Sequence, residues 1–284
     1  ERLNEMNTTL SSANSINIGR LIPQIVYYVF AYKEMVRKGK IRFGEEINFC
    51  VPTGNYGNVL AGYYAKCMGL PVKRFLVASN ANHVLYDFLT TGIYDRNRSF
   101  FKTISPSMDI LISSNLERLL YYKSGKDADY IHGLMKSLEE KGSYQVRSDI
   151  FKEIQKDFYG GYCDDETCAA IMKEFYEEKG YVLDPHTAVG YKVMKDYQKN
   201  DATPCVLLAT ASPYKFAPAV ENAIFQQSNE DEFACMEELQ RKSGARIPDS
   251  LLLLQGAKIR HKDVIDKEDM RDYVEKTVKE MFHD

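Results

Sequence analysis

The stretch Ile47 to Pro71, "INFCVPTGNYGNVLAGYYAKCMGLP", decides how the chain folds. Its opening, Ile47-Asn48-Phe49-Cys50-Val51, is short, apolar and rich in strand formers, and Pro52 stops it, which reads as a buried strand. Five residues then hold two glycines and two asparagines, Gly54-Asn55-Tyr56-Gly57-Asn58. Val59, Leu60, Tyr63, Tyr64 and Met68 follow at the spacing of one helix face. Ala61, Gly62 and Ala65 between them allow close packing on a sheet. Gly69 can cap that helix and Pro71 prevents its continuation. Arg74-Phe75-Leu76-Val77-Ala78 reads as the next strand, so the unit is a βαβ crossover.

The loop at 54–58 admits two readings. A helix start preceded by glycines offers unpaired N–H groups and a partial positive charge, and makes an anion site without any Lys or Arg. Asn55 and Asn58 can adopt left-handed conformations or donate amide hydrogens. The alternative is a tight turn with no ligand. Neither the dinucleotide fingerprint nor the nucleoside triphosphate loop is present.

Outward from this unit, an α/β core is expected from residues 1–92 and 183–228. Residues 1–17 are polar and small, and Leu21, Ile22, Ile25, Val26, Val29 and Phe30 then recur at helical spacing as far as about Lys38. Ser79-Asn80-Ala81-Asn82 reads as the cap of a helix reaching about Leu89. Residues 93–182 lose the α/β rhythm and read as a helical insertion. Asp184-Pro185-His186-Thr187 begins a helix to about Tyr197, Val206 to Thr210 reads as a strand, and Ala217 to Ile224 as a helix. Residues 229–284 form a polar, charged and mostly helical tail.

With 284 residues the chain can bury a substantial core. Its net charge is −3 with both signs interspersed, which argues against nucleic acid and against an acidic membrane surface as partners. No run of about 18 apolar residues suggests a spanning helix, and Glu1-Arg2-Leu3-Asn4 does not read as a signal peptide. Of the six cysteines, two fall in expected buried strands and one in a buried helix, as suits reduced thiols in the cytoplasm. Cys163 and Cys168 are wrongly spaced for a zinc knuckle and lack a second pair, so no metal site is expected.

Four motifs in register carry a resemblance: "NSINIGR" (14–20), "PTGNYGNVLAGYYAKCMGLPVKRF" (52–75), "LDPHTAVGY" (183–191) and "LATASPYKF" (208–216). Together they resemble the C-terminal part of threonine synthase, in the branch of fungi and many bacteria, within the second fold type of pyridoxal-phosphate enzymes. The likeness covers essentially the whole chain. It implies a partial three-layer α/β/α fold with a mostly parallel sheet, incomplete as a cofactor-binding domain. It also implies the family's reaction, elimination of phosphate from O-phospho-L-homoserine and addition of water to give L-threonine, with pyridoxal 5'-phosphate as electron sink.

Site roles follow by the same resemblance. Backbone N–H groups of Gly54, Asn55, Tyr56, Gly57 and Asn58 would clasp the cofactor phosphate. Thr210, at the end of its strand, would offer a hydroxyl to the pyridine nitrogen. Asn14, Ser15 and Arg20 match the segment that receives the substrate phosphate, Arg20 bidentately; an ordinary N-cap at Asn14 or Ser15 with a solvated Arg20 is the bland alternative. His186 has a helix-start position whose simplest role is structural. Lys215 reads as a surface lysine, and Asn80 and Asn82 as caps. In the family, the lysine that forms the Schiff base precedes these motifs, so it is expected upstream of Glu1, and no catalytic residue is assigned within the chain. The chain is then a fragment, inactive alone. A threonine-synthase-like phospho-lyase and a non-catalytic binding fragment are the alternatives. The oligomeric state is left open.

Overall fold

The computed structural model describes residues 2–5, 8–9, 11–227 and 229–282. They fall into two units, Ser15–Pro248, and the segments Glu1–Asn14 with Asp249–Asp284.

The larger unit is built on β1 (Ile47–Pro52) and β2 (Val72–Ser79), parallel and joined by a crossover helix as expected. β1 is buried along its whole length, because strands run on both sides of it and helices cover both faces. The sheet order is β5-β2-β1-β6, all parallel, with β5 at Phe158–Tyr162 and β6 at Cys205–Leu207.

On one face lie α1 (Ile25–Arg37) and the crossover helix α2 (Gly57–Cys67), where Tyr28 meets Phe49 edge to face at 4.8 Å. Each such buried aromatic contributes about 1.5–3 kcal/mol over leaving it exposed. α1 turns a different face inward from the expected one. Tyr28 and Tyr32 are buried while Val26, Val29 and Phe30 are exposed. The tyrosine rings pack inward while their hydroxyls still reach polar partners, Asn58 for Tyr28 and the Glu45 carbonyl for Tyr32.

α3 (Val84–Thr91) follows β2. Its N-cap is His83 without a side-chain bond, so the Asn80–Asn82 segment does not cap it as anticipated. Between α3 and the far face come β3 (Ile93–Asp95), α4 (Leu116–Lys123), α5 (Ala128–Lys141), β4 (Ser143–Gln145), α6 (Ser148–Asp157) and α7 (Asp165–Lys179). The expectation of a purely helical insertion over 93–182 therefore needs correction. β3 and β4 form an antiparallel pair, and β5 is a strand of the main sheet. The charged helix flanks hid β5, whose Gly160-Gly161 core carries little strand signal.

The opposite face is covered by α8 (Pro185–Gln198). Gly190 makes the close approach possible: a Cβ there would meet Leu207 at 2.7 Å and Pro52 at 3.1 Å, and its carbonyl accepts from the Cys50 thiol. α9 (Ala217–Phe225) and α10 (Glu232–Ser243) complete the unit. The expected tail at 229–284 is thus divided, its first part belonging here. The smaller unit holds α11 (Asp249–Gln255) and α12 (Met270–Phe282). Among the described residues, no helix is long and apolar enough to cross a membrane.

Candidate active site

The four strands run parallel, so their C-terminal ends share one edge. β1 leads to β2 on one side, while β6 returns on the other. That change of direction is where open α/β sheets bind ligands. At this point a cleft of about 500 Å³ opens, lined by Arg20, Gln24, Asn58, Leu208 and Thr210 among others.

The loop at 54–58 forms one wall. Tyr56 is left-handed, with φ 64°, and serves as the N-cap of α2 without any side-chain bond. The left-handed residue is therefore neither Asn55, Asn58 nor a glycine, and its ring is buried near Phe158 at 6.0 Å. Burial first, then Asp157 and Tyr28, push the Tyr56 phenol far up, so it stays neutral. The loop's outer carbonyls are fastened: Gly54 O accepts from Ser113 Oγ at 2.9 Å, and Asn55 O accepts from Asn115 N at 3.1 Å and Nδ2 at 2.9 Å. In a trans peptide the N–H opposes the C=O, so the N–H groups of Asn55 and Tyr56 face away from these fasteners. Among the described residues none accepts a hydrogen bond from the N–H of Gly54, Asn55, Tyr56, Gly57, Asn58 or Val59. A helix start with this many unclaimed donors fits an anion such as a phosphate.

Asn58 is held from below. The Tyr28 hydroxyl lies 2.6 Å from its Oδ1 and 2.9 Å from its carbonyl. That leaves the amide nitrogen as the side chain's remaining donor group. Burial, and secondarily Cys50, push the Tyr28 phenol up, keeping it a donor. Gly54 is pinned from behind: a Cβ would come 2.8 Å from the Ser107 carbonyl oxygen. The segment 101–109 carrying Ser107 is tied to the end of β2, where Asn80 Nδ2 donates to Asp109 Oδ1 at 2.8 Å and Asn82 Nδ2 to the same oxygen at 2.9 Å. Asn80 and Asn82 thus anchor a loop, where capping was expected.

The remaining expected residues divide. Arg20 lies in the cleft with Asn58 and Thr210. Thr210 does not end a strand; β6 stops at Leu207, and Thr210 is exposed three residues beyond. Ser15 abuts the loop, its carbonyl accepting from Asn115 Nδ2 at 3.1 Å and its Cβ near Gly57. Neither Asn14 nor Ser15 caps the following helix; Asn17 does, accepting from Gly19 N at 2.9 Å. Asn14 falls in the other unit. Lys215 is exposed in the turn Pro213–Phe216, and among the described residues no lysine lines the cleft. Sequence reasoning missed Ser113, Asn115, Ser107 and Tyr28. Ser113-Ser114-Asn115 ahead of Leu116 has only the signature of a helix cap, yet Asn115 makes no capping bond.

Residues 187–250 match the family model "Threonine synthase, C-terminal". The chain is 38% identical to yeast (Saccharomyces cerevisiae) threonine synthase over 238 residues, 78% of this chain and 45% of that protein. The crystal structure of threonine synthase from yeast superposes with a TM-score of 0.81 at 32% identity, over 98% of this chain and 55% of that one.

The chain belongs to the threonine synthase family.

It matches the C-terminal part of the family's members. A PLP-bound threonine synthase from Brucella melitensis gives a TM-score of 0.80 at 33% identity, over the whole of this chain and 57% of that one. The α/β architecture with its parallel sheet is accordingly that of the second fold type of pyridoxal-phosphate enzymes. Human threonine synthase-like 1 is 47% identical over 221 residues, which is 78% of this chain and 30% of that protein. The chain thus spans about half or less of the length of the relatives it matches.

Proposed function

We propose that this chain is the phosphate-binding part of a pyridoxal-phosphate-dependent threonine synthase, which converts O-phospho-L-homoserine and water to L-threonine and phosphate in the cytoplasm. The observation that carries the reading is the single cleft where Arg20, Asn58 and Thr210 meet beside the unclaimed N–H groups of 54–59. When bound, the cofactor supplies an electron sink for the carbanions that elimination and hydration require. The N–H groups of Gly54 to Asn58 hold the cofactor phosphate at the positive end of α2. The Thr210 hydroxyl offers the pyridine nitrogen a neutral partner, and Arg20 with Ser15 receives the substrate phosphate, the guanidinium by a paired contact.

A second reading has its own support. The identity to threonine synthase-like 1 (46–47%) exceeds that to threonine synthases (35–38%). On this second reading the protein is a phospho-lyase acting on a related phosphorylated substrate. One experiment separates the two: phosphate and threonine are both measured after O-phospho-L-homoserine is given to the full-length protein with pyridoxal phosphate. Equal yields support the synthase. Phosphate without threonine supports the lyase, and neither product removes O-phosphohomoserine as substrate.

A further inference from the structure

We propose that His186 is a positioning residue for the phosphate loop, acting at one remove through Ser107. The inference rests on the reading of residues 54–59 as the phosphate cradle. His186 is 2% exposed and does not line the cleft. Its Nδ1 lies 3.0 Å from Asp184 Oδ1, and its Nε2 accepts from the Ser107 N–H at 3.1 Å. A carboxylate only accepts, so the neutral ring carries its proton on Nδ1 and keeps the Nε2 lone pair for Ser107.

Asp184 already caps α8 through the N–H groups of His186 and Thr187, and it also accepts from the Thr187 hydroxyl. Helix capping therefore needs the aspartate but not the imidazole. The ring's other bond runs 79 residues back along the chain. It reaches the turn Pro106–Met108, whose Ser107 carbonyl packs on Gly54. Phe216 lies against the ring at 4.7 Å and limits its freedom to turn. Both flanks of the turn are fixed by Asn80, which donates to Ser105 Oγ at 3.0 Å and to Asp109. With both ends held, the Ser107 carbonyl forms a stop that sets where Gly54 lies, and so where the first N–H groups of the cradle point. Among the described residues the Ser107 N–H finds no acceptor besides His186 Nε2, and the donor would be orphaned without it.

The test compares pyridoxal phosphate with pyridoxal, which lacks the phosphate, as ligands of the full-length protein. His186→Phe keeps the ring volume and removes the acceptor. His186→Gln keeps an acceptor at the distance of Nε2. The Phe variant is expected to bind pyridoxal phosphate about tenfold more weakly, with pyridoxal affinity unchanged, and the Gln variant to stay within about twofold of wild type. If the Phe variant does not fold, His186→Asn, too short to reach Ser107, replaces it in the same comparison. Equal affinity of the loss variant and wild type for pyridoxal phosphate, or equal weakening of both ligands, would overturn the proposal and leave His186 as packing. A wild-type protein that fails to distinguish the two ligands would instead overturn the reading of the loop itself.

Discussion

The Tyr28 hydroxyl donates to the side-chain oxygen of Asn58 at 2.6 Å, joining the helix that precedes the sheet to the first turn of the crossover helix. Tyr28 is buried beneath the cleft, and Asn58, half-buried, lines it. Tyr28→Phe removes the donor and strands the amide oxygen, at a cost of about 1–2 kcal/mol. The expected outcome is a lower melting temperature and a loss of pyridoxal-phosphate affinity of several-fold. An unchanged value in both would mean that water replaces the phenol without consequence.

The two glycines of the loop should respond unequally. A Cβ at Gly54 meets a backbone carbonyl at 2.8 Å, which cannot swing aside as a side chain can, whereas at Gly57 the nearest atom is Asn115 Nδ2 at 3.4 Å. Gly57 also needs no left-handed backbone, since Tyr56 takes that role. Gly54→Ala is therefore expected to weaken cofactor binding by at least about tenfold, and Gly57→Ala by less than about threefold. Titration of pyridoxal phosphate into both variants checks the ranking, and the reverse order would refute it. Gly57→Val, with a branched side chain toward Ser15, should lie between them.

Arg20→Lys exchanges a planar fork for a point charge. For full-length enzyme the Michaelis constant for O-phosphohomoserine should rise about tenfold, the equivalent of roughly 1.5 kcal/mol. The absorbance of bound cofactor should not move. A constant that stays put would place Arg20 on the surface only.

Asp157 accepts from Lys66 at 2.6 Å and from Lys123 at 2.5 Å, tying α6 to α2 and α4. Burial raises its carboxyl pKa, but the bonds and charges of the two lysines outweigh that and hold it below the usual range. A depressed folded value means the group contributes stability above the unfolded pKa of about 3.9, and loses that contribution as pH falls through the folded value. Asp157→Asn should cost about 1–3 kcal/mol at neutral pH, between the surface and fully buried cases. Denaturant titrations at pH 7 and below pH 4 should show the gap between wild type and variant closing in acid. A gap independent of pH would assign the effect to packing.

Much of the fold was legible because the βαβ unit carries three independent signals: an apolar strand, a small-residue helix face and a glycine-proline stop. β5 was not, because Gly160 and Gly161 have no strand preference and their place depends on partners far along the chain, Val77 and Ala78. The inward face of α1 was misread for a related reason. Periodicity marks Val26 and Phe30 as apolar, but the sheet receives Tyr28, whose hydroxyl finds Asn58. At the site, the loop and Arg20 were visible as motifs. Ser107 and Asn115 were not, since each acts through backbone geometry that a residue type does not announce.

Tyr56 is a tyrosine in a backbone conformation that glycine adopts at no steric cost, which amounts to about 1 kcal/mol or more of stored strain. Replacing it with glycine would relieve that strain and also widen the range of shapes the loop samples when empty. A buried, neutral ring in this position instead keeps the cradle in one shape before any ligand arrives. Little ordering then remains to be done on association, so affinity is gained by what the empty protein does not sample. In selective terms, the chain accepts a less stable native state in exchange for a site that is already assembled, and a stabilising change at this position is expected to cost binding.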